Sequence, residues 1–140
     1  SWGTGGPGSA AGELSDPHAI AMDSQGRIFV GDRRNIRIQI FDRDGRFLEH
    51  WSHFGPPSSI YIDEDDVIYV TDTQTGALPS WYGQRRGDGW PRGIRVGNAR
   101  TGEVTAFIPS EAEFVAPDRA GNVYGAHVPG ATLIKYERIE

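Results

Sequence analysis

The chain has no cysteine. Disulfides and thiolate metal sites are therefore excluded. No apolar run approaches the about 20 residues that a membrane-spanning helix needs. No window keeps apolar residues at i, i+3 and i+4 for three turns, so helix is not expected. Positive charge is also short. The 140 residues carry a net charge of −5, which disfavours the basic footprint of a nucleic-acid binder. The arginines do cluster, first at Arg27, Arg33, Arg34, Arg37, Arg43 and Arg46, then at Arg85, Arg86, Arg92, Arg95 and Arg100. Aspartates interleave with the first group, which reads as solvated strand faces.

What the chain does have is short alternation broken by tight turns. Between Asp16 and Trp51, runs at 18–23, 27–32, 37–42 and 46–51 are separated by Ser24-Gln25-Gly26, Arg33-Arg34-Asn35 and Arg43-Asp44-Gly45. Ile28/Val30, Ile38/Ile40 and Phe47 give the period-2 pattern of half-buried strands. A four-stranded antiparallel meander follows. It cannot bury both faces alone, so it needs copies of itself.

The copies are present. Ser58–Asp63 and Val67–Asp72 repeat the stretches ending at Asp23 and Asp32 with an offset of 40 residues. A weaker copy follows in Glu113–Asp118 and Asn122–Val128, delayed by an insertion at Thr75–Pro91. A period of about 40 to 45 residues with four strands per unit is the signature of a propeller blade. The expected fold is all-β. Residues 1–15 are a Gly/Ser-rich crossover loop, 16–51 the first blade, 58–110 the second with the 75–91 loop inserted, and 113–140 a third that lacks its outer strand. Three blades are half of a six-bladed ring, and closed rings take about four to eight. Ser1-Trp2-Gly3 matches His50-Trp51-Ser52, so the chain starts in mid-pattern. The ring is therefore expected to be completed by a missing N-terminal half or by a second subunit in a homodimer.

Candidate site residues follow from the pleat. The start of the first strand and the end of the second lie side by side on one rim. The same offsets aim His18, Asp32 and Arg33 of the first blade, Ser58, Asp72 and Thr73 of the second, and Glu113 and His127 of the third at one channel mouth. Imidazole with carboxylate suits zinc or a similar ion such as calcium, with His18 and Glu113 as ligands. A two-fold axis along the channel would gather two copies of each. Trp81 and Trp90, on the Gly-rich insertion with its arginines, are a second candidate ligand surface.

The first blade resembles an NHL repeat. The signature is carried by Pro17, Asp23, Gly26, Ile28–Asp32, Asn35–Phe41 and Asp42–Gly45, and the later blades match more loosely. The layout is similar to the C-terminal half of bacterial six-bladed propellers related to peptidyl-hydroxyglycine alpha-amidating lyase. That resemblance implies a zinc enzyme, with Pro17-His18 matching the metal-binding Pro-His motif and Asp32-Arg33 the motif whose arginine assists catalysis. It also implies a secreted or periplasmic protein. Ser58 and Glu113 stand where further histidines are expected. Three functions follow as expectations: a binding or scaffold module that takes a small molecule or peptide at the channel mouth; a metal-dependent lyase or hydrolase with Arg33 in a catalytic role; and, disfavoured by the charge, an RNA-binding surface.

Overall fold

The computed structural model describes residues 1–75, 91–128 and 130–139. Among them are eleven strands and one short 3-10 turn, Arg33–Asn35. The strands β1 (Pro17–Met22), β2 (Ile28–Asp32), β3 (Arg37–Phe41) and β4 (Phe47–Trp51) form the first sheet, in that order. The second sheet is β5 (Ser59–Ile62), β6 (Val67–Asp72), β7 (Gly93–Asn98) and β8 (Val104–Pro109). The third is β9 (Phe114–Pro117), β10 (Val123–His127) and β11 (Thr132–Tyr136), with three strands among the described residues. All pairings are antiparallel, and β1 lies against β5 as β5 lies against β9. These are three propeller blades with their inner strands side by side.

One device makes most of the turns. Asp23 leaves the strand because its Oδ1 accepts the backbone N–H groups of Gln25 and Arg27. Asp42, Asp63 and Asp118 do the same for the residues two and four positions on. Such Asx turns need a left-handed residue at the third position beyond the aspartate. Gly26, Gly45 and Gly121 supply it at φ 78°, 82° and 84°. The second blade has Asp66 there instead, at φ 59°.

Two cores cement the blades. Between the first and second, Phe29, Ile38, Ile40, Trp51 and Phe54 pack on Ile60, Ile68 and Val70. Between the second and third, Tyr69 and Ile94 pack on Val115 and Val123. The pattern repeats by register: Ile38 opposite Gly31 and Ile94 opposite Thr71 are both wholly buried. Each blade thus offers one face to its successor and another to its predecessor. The crossover at 1–15 lies over part of the first blade's predecessor face. Trp2 stacks on Phe41 at 6.1 Å and meets Gly45, as Trp51 meets Gly102 in the next junction.

Candidate functional site at the channel rim

The register places Pro17 opposite Asp32, so His18 and Arg33 share one rim as the pleat requires. Glu113 just precedes β9, and Ser58 just precedes β5, on the same rim. The structure joins these four in one network. His18 Nδ1 lies 2.7 Å from the Ser58 carbonyl oxygen. A carbonyl only accepts, so Nδ1 carries a proton, and in the neutral ring Nε2 is the acceptor. Glu113 Oε1 sits 3.9 Å from His18 Nδ1 and 3.7 Å from Arg33 Nη1. Glu113 Oε2 accepts the Thr73 hydroxyl at 2.7 Å, and Thr73 in turn meets the Ser58 hydroxyl at 2.8 Å. Each of the three blades therefore contributes at least one member.

The repeat offset that carries Arg33 to Thr73 brings Thr73 to this rim as expected, whereas Asp16 was not singled out by spacing. Thr73 follows β6 and bridges Ser58 to Glu113. Asp16 binds Arg33 Nε at 2.9 Å and sits at φ 58°, a left-handed conformation immediately before Pro17. An aspartate before the Pro-His pair was the available signal. The side chains of His18, Glu113 and Arg33 are 29%, 18% and 19% exposed, so the network is open to solvent on one side.

Asp32 and Asp72 do not face the rim. Both are wholly buried. Asp32 Oδ2 takes Arg37 Nε at 2.8 Å, Asn35 Nδ2 at 2.9 Å and Gln39 Nε2 at 3.0 Å, while Oδ1 takes the Ser15 N–H at 2.6 Å. Arg37 then reaches the carbonyls of Ser9, Ala10 and Glu13. The pair is a latch that ties the crossover to the strand ends. Asp72 makes the corresponding latch with Arg95 at 3.6 Å and with the turn residues Gln74 and Thr75. Burial pushes the Arg95 guanidinium down from its usual range, and Asp72 opposes that shift. Fixed donors hold both carboxylates inward, within the blade. His127 stands at the equivalent place in the third blade and is turned to the Tyr136 hydroxyl at 3.2 Å, which meets Ser110. Its bond runs to Tyr136, as a variant of the same latch. Trp81, Trp90 and most of the 75–91 insertion lie outside the described residues.

The described rim residues do not by themselves make up a zinc or calcium ligand set. Structural zinc takes four ligands and calcium six to eight oxygens. Among the described residues no group of three or more His, Cys, Asp or Glu is placed to hold a metal. His18 and Glu113 are two donors, and the Arg33 guanidinium beside Glu113 opposes a second cation. A two-fold copy would bring a second arginine with its second carboxylate. Arg33 itself sits between Asp16 and Glu113, which neutralise it. That arrangement positions polar groups.

Comparison with known proteins agrees with the NHL-repeat resemblance of the first blade. Residues 14–41 match the family model described as NHL repeat. Human NHL repeat-containing protein 3 is 42% identical over 82 residues, covering 55% of this chain and 24% of that protein. Protein brain tumor of Drosophila melanogaster is 38% identical over 133 residues, covering 83% of this chain and 13% of that protein. Protein lin-41 of Caenorhabditis elegans is 54% identical over 41 residues, 29% of this chain and 4% of that one. The matched part thus spans at most about a quarter of these relatives' length. A crystal structure of a protein of unknown function from Bacteroides caccae superposes with a TM-score of 0.60 at 11% identity, over 83% of this chain and 43% of that chain. At that identity the likeness concerns the fold.

Proposed function

We propose that this chain, whose first blade is an NHL repeat, is a propeller binding module that holds a peptide or small polar molecule at the channel rim. The supporting observation is the network of His18, Arg33, Ser58, Thr73 and Glu113, drawn from three blades onto one partly exposed rim. It offers an acceptor at His18 Nε2 and donors on the guanidinium of Arg33, close together and held in place. A peptide group presents the complementary pair, one N–H and one C=O. The test is an NMR titration of labelled protein with an equimolar library of blocked hexapeptides. Shifts centred on His18, Thr73 and Glu113, and reduced in His18→Ala and in Glu113→Gln, are the expected result. Shifts confined to other surfaces, or unchanged in both variants, overturn it.

The rim works as a mouth only in a closed ring, and both terminal blades are built to receive a neighbour. Leu133 opposite Ala126 is 82% exposed, in the register position where Ile38 and Ile94 are 0% exposed. Ile20 and Met22, at 69% and 55%, occupy the repeat positions of Ile60 and Ile62, which pack in the first core. The successor face of the third blade thus complements the predecessor face of the first. A second copy of the chain fits both at once and makes six blades with a two-fold axis. This reading continues an interface the molecule already uses twice.

A further inference from the structure

The two blade junctions differ at the rim opposite the His18 network. At the first junction the turns are tied. Asp66 of the second blade accepts the Ser24 N–H at 2.8 Å and the Ser24 hydroxyl at 2.6 Å, and holds Arg100 Nε at 2.8 Å. Beside this tie, Arg27 lays its guanidinium in a fixed seat. Its Nε meets Asp23 Oδ2 at 2.7 Å, its Nη2 donates to the Ala99 carbonyl at 2.8 Å, and its Cζ lies 5.3 Å from the Phe29 ring centroid. Carboxylate, carbonyl and aromatic face together make an arginine site, and the chain fills it from its own sequence.

At the second junction the carboxylate and the aromatic face are kept without the Arg27 side chain, and the Tyr69 hydroxyl hydrogen-bonds Asp63. By the repeat offset, Asp63 stands for Asp23, Tyr69 for Phe29 and Tyr61 for Ala21, but Val67 replaces Arg27. Gly121 replaces Asp66, so no side chain is there to tie the turns. The result is a cleft of about 430 Å³ lined by Tyr61, Asp63, Val67, Tyr69, Asp118 and Arg138 among others. Tyr61 and Tyr69 meet edge to face at 6.4 Å. Burial, with the Asp63 charge, pushes the Tyr69 phenol up, so it stays a neutral donor. Four carboxylates against two arginines leave the lining negative, since Glu64 and Asp65 join Asp63 and Asp118 opposite Arg119 and Arg138. The third blade shows the alternative outcome. There Asn122 takes the position of Arg27 and caps the Asp118 carboxylate from within at 2.8 Å.

We propose that the cleft between the second and third blades binds an arginine side chain of a partner polypeptide, seated on Asp63 and the Tyr61–Tyr69 pair as Arg27 is seated on Asp23 and Phe29. The vacancy left by Val67 is what makes the site intermolecular. Lysine meets the carboxylate as a point charge, whereas guanidinium also stacks and forks, so arginine is preferred.

The probe is the blocked tripeptide acetyl-Gly-Arg-Gly-amide, titrated into the labelled chain up to about 10 mM and read by NMR. Shifts at Tyr61, Asp63 and Tyr69 are expected, with lysine in place of arginine binding more weakly and citrulline not at all. Asp63→Asn keeps an acceptor oxygen for the turn and removes the charge; it is expected to weaken binding by about tenfold or more. Val67→Arg refills the seat from within and is expected to abolish binding while the fold persists. The idea is overturned by the absence of cleft shifts, by equal binding of the citrulline peptide, or by undiminished binding to folded Val67→Arg. The site is separate from the His18 rim, so either can fail alone.

Discussion

Asp66 shows how one residue carries two duties. Its turn position demands a left-handed backbone, which glycine adopts freely and aspartate tolerates. Its carboxylate ties two blades through Ser24 and Arg100. Those bonds, chiefly the Ser24 hydroxyl and N–H, hold its pKa at about 2, below the ordinary 3.8. A depressed carboxylate stabilises the fold above its unfolded value and loses that contribution as pH falls through the folded one. Acid unfolding of the wild type should therefore steepen between about pH 4 and pH 2, and Asp66→Asn should flatten that part of the curve. At neutral pH the same variant is expected to cost about 2 kcal/mol in chemical denaturation. Asp66→Gly should lose the tie but keep the turn, so Asp66→Ala, which also strains the backbone, should be the least stable of the three.

At the scale of elements, the latches matter most. Asp32 and Arg37 hold the 1–15 crossover by side-chain and carbonyl bonds, in a segment with no strand of its own among the described residues. Removing one partner strands a buried charge, which costs about 3–5 kcal/mol. Asp32→Ala is expected to lower stability by that amount and to raise hydrogen exchange at the Ser15 and Arg34 amides, which bond within this latch region. Exchange that stays slow there would mean the crossover is held by Trp2 and Leu14 packing alone. The sequence marks these aspartates clearly as repeated features. It does not mark their direction, because a strand-end carboxylate can turn to the rim or into the blade. The turn inward follows from Arg37, Asn35 and Gln39 converging on one oxygen.

At the scale of the molecule, the unequal exposure of equivalent residues is the main feature. Leu133 and Ile20 are exposed where their counterparts are core. In light scattering the chain is expected to run at twice its 15.4 kDa mass, and Leu133→Asp and Ile20→Asp are each expected to return it to monomer. A wild-type monomer would overturn the two-copy ring and leave these faces to blades of a longer polypeptide.

The sequence by itself determined the all-β class, the blade period and the pairing of the first two strands of each blade, because alternation and Asx-turn chemistry are local. It also named His18, Arg33, Ser58 and Glu113 as neighbours, because repeat offsets carry rim positions faithfully from blade to blade. Only the tertiary structure decided what those neighbours do. Arg33 is claimed by Asp16 and Glu113, and Asp32 and Asp72 are claimed by the latches. The difference is physical. A backbone pattern is set by residues a few positions apart, whereas a side chain's partner is set by which blade lies beside it.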